Sequence, residues 1–527
     1  MVVGDIIKSN ARIFPDKLAI TDDIHSWTWR QFSDRVNRLA NALLGLGLTK
    51  GERVAILAEN CSEYVEFLFA IASAGLIGVC LNYRLTTAQI IRILKECEPR
   101  AMLVQSGYLN MVEPIRNSVA SIEAVIGLGA KHGLALDYEA TLARHDTHEP
   151  DVSVNEEDPF LIQYTTGTTG TSKGAVLTHK NEIANCMMRI QATATSREDV
   201  VLNTGPLFAT GHQARVFGNC FLSCTQVITA FSPRTWVEMI EKYRVTYSSL
   251  LAGTTFKMVK EFLETSERKY DLSSLRKLQP DGGQHVSGQQ LKEMLDFFKI
   301  PYSNSSCKPY GMTEAMPGPY LVPEDIAAGL SPDASEKQRR RLGSVGKPLL
   351  NSEMRIVDEN DRDIPPGQVG EILLRGDQVI KGYWKNPELT ARAFRGGWFH
   401  TSDLGMVDED GYLYFQGRKD FVIKTGGLLV GPEEVENVLL QHPAVAGAAV
   451  FGVPDDKWGQ AVMAAVCLKA GATATDEELR NHCRKHLAGY QVPKSIVFTP
   501  SLPRDAAYGK VDRHALVQKY GSIGQGH

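Results

Sequence analysis

Residues 164–174 of this 527-residue chain read YTTGTTGTSKG, a run of small and hydroxyl-bearing residues with one lysine. The run follows the strand-forming residues FLIQ at 160–163, and it has almost no apolar surface that a core would bury. Glycines permit the turns that point successive N–H groups at one anion, and Lys173 adds a charge suited to phosphate. The stretch therefore predicts a strand that leads into a phosphate-binding loop.

Two other interpretations of this loop are weaker. A flexible linker has a similar composition, but this run is short, carries a lysine and directly follows an apolar strand. The P-loop of nucleoside triphosphatases needs Gly-Lys followed by Ser or Thr, whereas Lys173 follows Ser172 and precedes Gly174. The loop thus predicts a phosphate-bearing ligand. Beyond it, Thr178 and the apolar spacing that follows predict the N-cap of a helix.

The composition restricts the class of protein. A chain of 527 residues is too long for one core, so we expect at least two domains. The formal net charge of −4 argues against a general nucleic-acid-binding protein. Nine cysteines without a CxxC pair argue against a zinc site. With no apolar run at the N-terminus, they favour reduced thiols in the cytoplasm.

The most apolar stretch lies at residues 67–81. It is shorter than the roughly 20 residues that span a bilayer, so no membrane span is expected. Glycines divide the stretch, and it therefore predicts a buried helix that ends near Gly75 and then a buried parallel strand.

Apolar strands alternate with amphipathic helices over most of the chain. Such strands are predicted at 53–57, 101–104, 124–128, 200–203 and 247–251. This alternation is typical of doubly wound α/β sheets.

The pattern changes beyond about residue 345. Short alternating segments predict an antiparallel region, and a compact α+β segment follows it. We expect a multidomain α/β protein with a large domain at 1–419, whose β-rich subdomain covers roughly 345–419, and a small domain at 420–527. The charged run at 324–341 is interpreted as a solvated loop rather than a basic binding patch.

Six motifs in one order make the chain resemble the adenylate-forming superfamily of acyl- and aryl-CoA synthetases, luciferase-like enzymes and peptide-synthetase adenylation domains. Besides the loop, they are YGMTE at 310–314, GE…RG…GYW at 370–384, WFHTSD at 398–403, GRKD at 417–420 and PR…GKV at 503–511. Ser402 stands where the family usually has glycine. The resemblance covers nearly the whole chain and implies that the small domain is a mobile lid, with its hinge at Asp420.

The resemblance, closest to the acid–CoA ligases, implies an ATP-dependent carboxylic acid–CoA ligase. A carboxylate would attack the α-phosphate of ATP, giving an acyl-adenylate and pyrophosphate, and coenzyme A would then take the acyl group and release AMP. Because two anions must meet, the site has to neutralise charge and hold the reactants in line. Mg²⁺ and a small carboxylic acid are the other expected ligands. Transfer to a carrier protein and a non-catalytic nucleotide- or acyl-binding role stay open, as does a homodimer.

The same resemblance assigns catalysis to four residues. Lys510 would bridge the attacking carboxylate and the phosphate, Lys173 would neutralise phosphate charge, Glu314 would ligate Mg²⁺, and Thr313 would lie beside the α-phosphate. The set expected to contact ATP or AMP is Thr165, Thr166, Gly167, Thr168, Thr169, Gly170, Thr171, Lys173, Gly283, Tyr310, Gly311, Thr313, Asp403, Arg418 and Lys510.

Three of these residues are expected to hold the nucleoside. Tyr310 would stack on adenine, Asp403 would accept hydrogen bonds from the ribose hydroxyls, and Arg418 would help to fix the sugar. The coenzyme A tunnel is expected at Lys424, Gly426 and Gly427, where side chains would block a narrow pantetheine arm. The chain reads GGLLVGPEEVE there, whereas many relatives have GGxNIxPxEIE.

The acid pocket is expected at Phe208, His212, Arg215, Gly282 and His285. In the family a histidine often follows the phenylalanine of PLFHxxG, but here Ala209 replaces it and the polar side chains come later. These side chains either meet a polar substituent or second carboxylate of the acid, or face solvent or phosphate. The second interpretation is favoured.

Overall fold

The computed structural model describes residues 1–129, 132–166, 172–281, 286–316, 318–504 and 511–521. The chain divides into two compact units. The first unit contains Met1–Met354 and Leu374–Phe399, and the second contains Arg355–Leu373 and His400–His527. The expected multidomain α/β fold is confirmed, and the domain boundary at Asp420 stays a prediction.

Helices occur throughout both units. In the described residues they are α1 Gly4–Ile13, α2 Trp29–Gly45, α3 Ser62–Ser73, α4 Thr87–Cys97, α5 Val112–Ser118, α6 Tyr138–Ala143, α7 His179–Thr193, α8 Thr210–Phe221, α9 Pro233–Tyr243, α10 Thr255–Thr265, α11 Gly288–Phe297, α12 Pro323–Leu330, α13 Glu336–Arg341, α14 Pro387–Ala393, α15 Pro432–Gln441, α16 Asp476–Arg484 and α17 Arg513–Tyr520. None of these described helices has both the length and the apolar character of a bilayer span.

Strands alternate with these helices. They are β1 Leu18–Thr21, β2 Ser26–Thr28, β3 Arg53–Leu57, β4 Ile77–Cys80, β5 Ala101–Gln105, β6 Ala124–Leu128, β7 Leu136–Asp137, β8 Pro159–Thr166, β9 Ser172–Thr178, β10 Val200–Asn203, β11 Thr225–Ile228, β12 Tyr247–Leu251, β13 Lys277–Asp281, β14 Lys308–Pro309, β15 Tyr320–Leu321, β16 Ser352–Val357, β17 Gly370–Gly376, β18 Gly382–Tyr383, β19 Phe399–Val407, β20 Leu413–Arg418, β21 Ile423–Thr425, β22 Leu428–Val430, β23 Val445–Asp455, β24 Gly459–Leu468 and β25 Ser495–Phe498.

The first unit contains an eight-stranded sheet with the order β18–β9–β8–β4–β3–β5–β6–β7. Neighbours from β8 to β7 are parallel, whereas β9 is antiparallel to both β8 and β18. The apolar residues of β3 are fully buried, which is the pattern of a parallel strand covered by helices on both faces. The apolar stretch at 67–81 also behaves as predicted, because α3 ends at Ser73 and β4 begins at Ile77.

A six-stranded sheet in the same unit has the order β13–β12–β10–β11–β1–β2, and all its pairs are parallel except β1–β2. Strands β10, β12 and β13 end side by side at Asn203, Leu251 and Asp281. In open α/β sheets ligands bind at such carboxyl ends. We therefore expect the carboxylic acid to bind at this edge.

The second unit contains most residues of a four-stranded sheet with the order β16–β17–β19–β20, in which β19 and β20 are antiparallel as predicted. It also contains the sheet β22–β21–β24–β23, with β25 parallel to β24. Helices α15 and α16 contribute apolar side chains to the same core as β23 and β24. The α+β segment predicted near the C-terminus is therefore present.

The interpretation of residues 324–341 as a loop is wrong, because helices α12 and α13 occupy most of this segment. Pro323 lies at the start of α12, and Ile326 and Leu330 bury its apolar face. Ser335 caps α13 through a reciprocal pair of hydrogen bonds with Gln338. The charge of the run concealed both the capping residues and the apolar spacing.

A buried ion pair joins three helices of the first unit. Arg35 of α2 donates to both oxygens of Glu66 on α3, with Nε–Oε1 and Nη2–Oε2 distances of 2.7 and 3.1 Å. Tyr138 of α6 donates to the same carboxylate at 2.6 Å. Burial raises the pKa of Glu66, which is completely inaccessible, and Arg35 opposes that shift. The buried Glu66 carboxylate is therefore stabilised by the Arg35 guanidinium.

Replacing Arg35 with leucine should lower the free energy of unfolding by about 3–5 kcal/mol, because Glu66 is left as a buried group without its cation. Arg244→Leu is the matched control, since it removes an exposed pair with Asp271 at 2.6 Å. Its cost should be only about 0.2–1 kcal/mol. Equilibrium unfolding in urea, followed by tryptophan fluorescence, measures both; equal losses would contradict the role given to Arg35.

Candidate active site

A hairpin in the first unit closes the predicted phosphate loop. The end of β8 pairs with the start of β9, so that Thr165 lies opposite Lys173 and Thr166 opposite Ser172. Residues 167–171, which complete the predicted phosphate-binding set, lie outside the described residues. The order of strand, loop, strand and helix is the predicted one. It is completed by Thr178, which caps α7 through reciprocal hydrogen bonds with Asn181.

The GYW motif continues this hairpin. Tyr383 of β18 pairs with Ala175 of β9, and the Trp384 N–H donates to the Gly174 carbonyl at 2.7 Å. A Cβ at Gly174 would lie 2.9 Å from the Ile162 side chain, so a larger residue here would force a neighbour to shift. The loop and the GYW motif are thus held together through the main chain.

Glu314, the predicted Mg²⁺ ligand, is oriented by this same motif. The Tyr383 hydroxyl donates to Oε1 of Glu314 at 3.0 Å, and the Ile380 N–H donates to the Glu314 carbonyl at 2.9 Å. The carboxylate is partly exposed. The GYW motif is visible in the sequence, but nothing in the pattern indicates that its tyrosine contacts a carboxylate 69 positions away.

The YGMTE segment ends in a tight turn in which the main chains of Met312 and Ala315 bond to each other. Gly311 and Thr313 are partly exposed there. The Tyr310 ring is fully buried and lies against Gly318, where a Cβ would come within 3.1 Å of it. Stacking of Tyr310 on adenine stays a prediction.

Helix α8 joins the predicted acid pocket to this turn. Thr210, its first residue, donates to the Thr313 hydroxyl at 3.3 Å. In the preceding loop, Phe208 is buried and packs edge-to-face on Tyr83 with ring centroids 5.2 Å apart. Asn60 fixes the loop, since its side chain bonds to the Gly205 carbonyl and its Oδ1 accepts from the Leu207 N–H.

The polar residues of α8 are enclosed by the protein. Arg215 is buried, and its guanidinium lies 2.5 Å from the Asp281 carboxylate and donates to the Ser249 hydroxyl. Burial raises the pKa of Asp281, but Arg215 and His212 hold it below the usual value. The expectation that Arg215 faces solvent is therefore wrong, whereas contact with phosphate stays a prediction. Asp281, the partner of Arg215, was missed because the sequence at this position indicated only a turn at the glycines that follow it.

His212 lies over Gly205, where a Cβ would approach the imidazole to 2.1 Å. The ring is only partly exposed, and burial lowers the pKa of His212 to about 4, although Asp281 opposes that shift. His212 is thus neutral at physiological pH, and its imidazole can donate one hydrogen bond and accept one. Gly282, Gly283 and His285 lie outside the described residues.

The predicted ribose ligands lie together in the second unit. Asp403 and Arg418 are register partners of β19 and β20, and the guanidinium lies 3.5 Å from Oδ1 of the buried carboxylate. Asp420, the predicted hinge, is exposed, and its carboxylate lies 3.8 Å from Arg418. Lys510 lies outside the described residues.

The predicted coenzyme A residues form a hairpin turn between β21 and β22. Gly426 and Gly427 have φ of +58° and +81°, as a two-residue turn with both central residues at positive φ requires. A Cβ on Gly426 would lie 2.7 Å from the Trp458 ring, which is 40% exposed. Lys424 is exposed beside the turn. The glycines are therefore needed both for the turn and for the approach of an aromatic ring.

Comparison with known proteins identifies the family. Residues 7–384 match the AMP-binding enzyme family, and residues 434–510 match the AMP-binding enzyme C-terminal domain. A feruloyl-CoA synthase from Amycolatopsis sp is 34% identical over 513 residues, which cover 97% of each chain. An indoleacetate–CoA ligase from Aromatoleum aromaticum is 31% identical over 98% of each chain.

Solved structures agree with the sequence comparison. The crystal structure of an anthranilate CoA ligase in complex with anthranoyl-AMP is 25% identical to this chain. It superposes with a TM-score of 0.86, over 99% of this chain and 98% of the other. Similarity to CoA ligases along the full length does not favour the carrier-protein or the non-catalytic alternative. The chain therefore belongs to the AMP-binding enzyme family, and it is an ATP-dependent acid–CoA ligase that forms an acyl-adenylate before the thioester.

Proposed function

We propose that this ligase activates an aromatic carboxylic acid with an uncharged polar substituent. The observation that carries the proposal is the ion pair of buried Arg215 with the largely buried Asp281 at the carboxyl edge of the six-stranded sheet. Asp281 already neutralises the charge of the Arg215 guanidinium. A second carboxylate of the acid would therefore be buried without a cation of its own, and burying such an unpaired charge costs several kcal/mol. A hydroxyl, ether or amine group needs only a hydrogen bond, and Ser249 and neutral His212 offer such bonds.

Aromatic residues near this pair support the same choice of acid. Phe208 and Tyr83 pack edge-to-face, and Arg84 lies 5.8 Å from the Phe208 ring centroid. An aryl group prefers offset or edge-to-face neighbours of this kind. The relatives reported above are named after ferulic, indoleacetic and anthranilic acids. Each of these is an aromatic acid with a polar group.

For adenylation we propose the residues that the motifs assign. Lys173 and the loop at 165–171 neutralise the phosphates, and Lys510 bridges the carboxylate and the α-phosphate as negative charge develops. Asp403 accepts the ribose hydroxyls and is held by Arg418. Tyr310, Gly311 and Gly283 are proposed to hold the adenine, and Thr313 the α-phosphate.

Glu314 fits a ligand of Mg²⁺. One oxygen is fixed by Tyr383, and the partly exposed carboxylate is free to turn its other oxygen to a cation that also binds phosphate. When bound, Mg²⁺ would neutralise charge on the phosphates of ATP. Tyr383 is a positioning residue, since it contacts Glu314, the proposed metal ligand, and not the metal ion itself.

The thioester half of the reaction is proposed to use Lys424, Gly426, Gly427 and Trp458. The exposed indole has the Nζ atoms of Lys457 and Lys494 at 5.0 and 5.6 Å from its ring centroid. An aromatic face flanked by two cations suits an adenine nucleotide with several phosphates, which describes coenzyme A. We also propose rotation of residues 420–527 about Asp420 between the two half-reactions.

The cytoplasm is the proposed location. All nine cysteines are free thiols in this structure, and most are buried. Reduced thiols are usual where glutathione and thioredoxin act.

Asp281→Asn should change which acids are accepted, because it leaves Arg215 with an unpaired charge next to Ser249. We expect the kcat/KM ratio of a dicarboxylic aromatic acid to its hydroxylated monocarboxylic analogue to rise at least ten-fold, that is by about 1.4 kcal/mol. Pyrophosphate release with a panel of aryl, dicarboxylic and long-chain fatty acids measures it. Asp271→Asn, at the exposed pair with Arg244, is the control. An unchanged ratio, or a wild-type preference for plain fatty acids, would contradict the proposal.

Lys510→Ala should reduce pyrophosphate release by about 10²–10³-fold, since it removes a cation that acts in the transition state. The same variant should still convert chemically prepared acyl-adenylate to acyl-CoA, which separates the two half-reactions. Lys519→Ala, in α17, controls for loss of surface charge nearby in the sequence. Adenylation at the wild-type rate would refute the role of Lys510, and a lack of any acyl-CoA product from wild type would refute coenzyme A as acceptor.

Tyr383→Phe should raise the Mg²⁺ concentration needed for half-maximal adenylation about ten-fold or more, because Glu314 loses the donor that orients it. The maximal rate at saturating Mg²⁺ should change little. Tyr243→Phe removes a hydroxyl bonded to Asp23 on the surface and serves as the control. An equal loss of rate at every Mg²⁺ concentration would indicate a merely structural role.

A further inference from the structure

A second group of metal-binding side chains lies in the first unit, apart from the residues proposed for ATP, acid and coenzyme A. Asp22 and His25 lie on the turn between β1 and β2, and Glu63 lies in the first turn of α3. Their potential ligand atoms all lie within 4.8 Å of one another. His25 Nδ1 is 3.6 Å from Asp22 Oδ2 and 4.0 Å from Glu63 Oε1.

These separations suit a small divalent cation. Ligands at about 2.0–2.1 Å from a tetrahedral zinc ion lie roughly 3.3 Å from one another. Small side-chain rotations of His25 and Glu63 would bring the three atoms to that spacing. The imidazole is already oriented, since it stacks on Trp27 with ring centroids 5.9 Å apart and planes 12° apart.

The Asp22 carboxylate is oriented by the main chain. Oδ1 accepts from the N–H groups of Ile24 and His25, and Oδ2 accepts from the N–H and hydroxyl of Ser62. The Ser62 hydroxyl also lies 3.4 Å from Glu63 Oε2, so it can turn there and free a lone pair of Oδ2 for a metal.

The charge of this group is not balanced by the protein. The Glu63 side chain is only 11% exposed, and among the described residues the His25 imidazole is the one basic side chain within 4.0 Å of either carboxylate. Neighbouring acids have strong partners of their own, since Asp23 pairs with Lys242 and Glu66 with Arg35. Two carboxylates that share one imidazole in a mostly buried site are stabilised by a divalent cation.

The mixed donor set selects among divalent cations. Imidazole together with carboxylates suits zinc better than Mg²⁺, which prefers oxygen ligands. We propose that Asp22, His25 and Glu63 form a zinc site, with the fourth position left to water, that clamps the β1–β2 turn to the start of α3.

Calorimetric titration of Zn²⁺ into the tag-free, chelator-treated full chain tests this proposal, without ATP, acid or coenzyme A present. We expect one equivalent to bind, with a rise in melting temperature. His25→Ala and Glu63→Gln should each weaken binding at least ten-fold. His132→Ala removes another histidine of the same unit, paired with Asp137 at 3.0 Å, and should bind like wild type.

Cys61→Ser, next to α3 but outside the proposed ligand set, should bind zinc like wild type. Pyrophosphate release at the wild-type rate shows that each variant is folded, and His25→Gln replaces His25→Ala if the latter fails this check. Absence of saturable zinc binding, or equal affinity in wild type, His25 and Glu63 variants, would overturn the proposal.

Discussion

The antiparallel pairing of β8 with β9 is the interaction on which the proposed ATP site of this ligase depends. It closes the predicted phosphate loop between Thr166 and Ser172, and β9 then pairs through its other edge with β18. That second pairing brings the Tyr383 hydroxyl to Glu314. Three motifs that are far apart in the sequence are thereby fixed by main-chain hydrogen bonds, which tolerate variation of the side chains around them. Preorganisation of this kind is what a reaction between two anions requires.

The proposed choice of the acid rests on a different principle, the neutralisation of buried charge. Arg215 would be a strong anchor for a second carboxylate if it were alone, but Asp281 and Ser249 already bond to its guanidinium. In the proposed acid pocket the pair would therefore shape and polarise the site rather than bind a charge. Neutral His212 has the same consequence, because a histidine with its pKa lowered to about 4 offers a hydrogen bond without a charge at pH 7.

Sequence reasoning succeeded where local chemistry decides the structure. The strands at 53–57 and 200–203 follow from uninterrupted apolar runs, and the cap at Thr178 follows from its hydroxyl before an amphipathic helix. Sequence reasoning failed where a contact with a residue far away in the sequence decides the local structure. Arg215 and Asp281 are 66 positions apart, so the neutralisation of the arginine could not be read from either segment. The helices within 324–341 were missed because charge obscured the capping signals.

Ser402 shows how this chain accommodates a departure from its family. Its φ is +59°, which lies in the left-handed region. Glycine adopts this conformation without a steric penalty, whereas it costs other residues conformational energy of order 1 kcal/mol or more. The conformation is held by the structure around it, since the Ser402 N–H donates to Glu371 and Lys419 bonds to the same carboxylate. These contacts fix the backbone of β19 directly before Asp403. The family's glycine is thus explained by backbone geometry, and the serine is tolerated because the neighbouring carboxylate holds the backbone in that geometry.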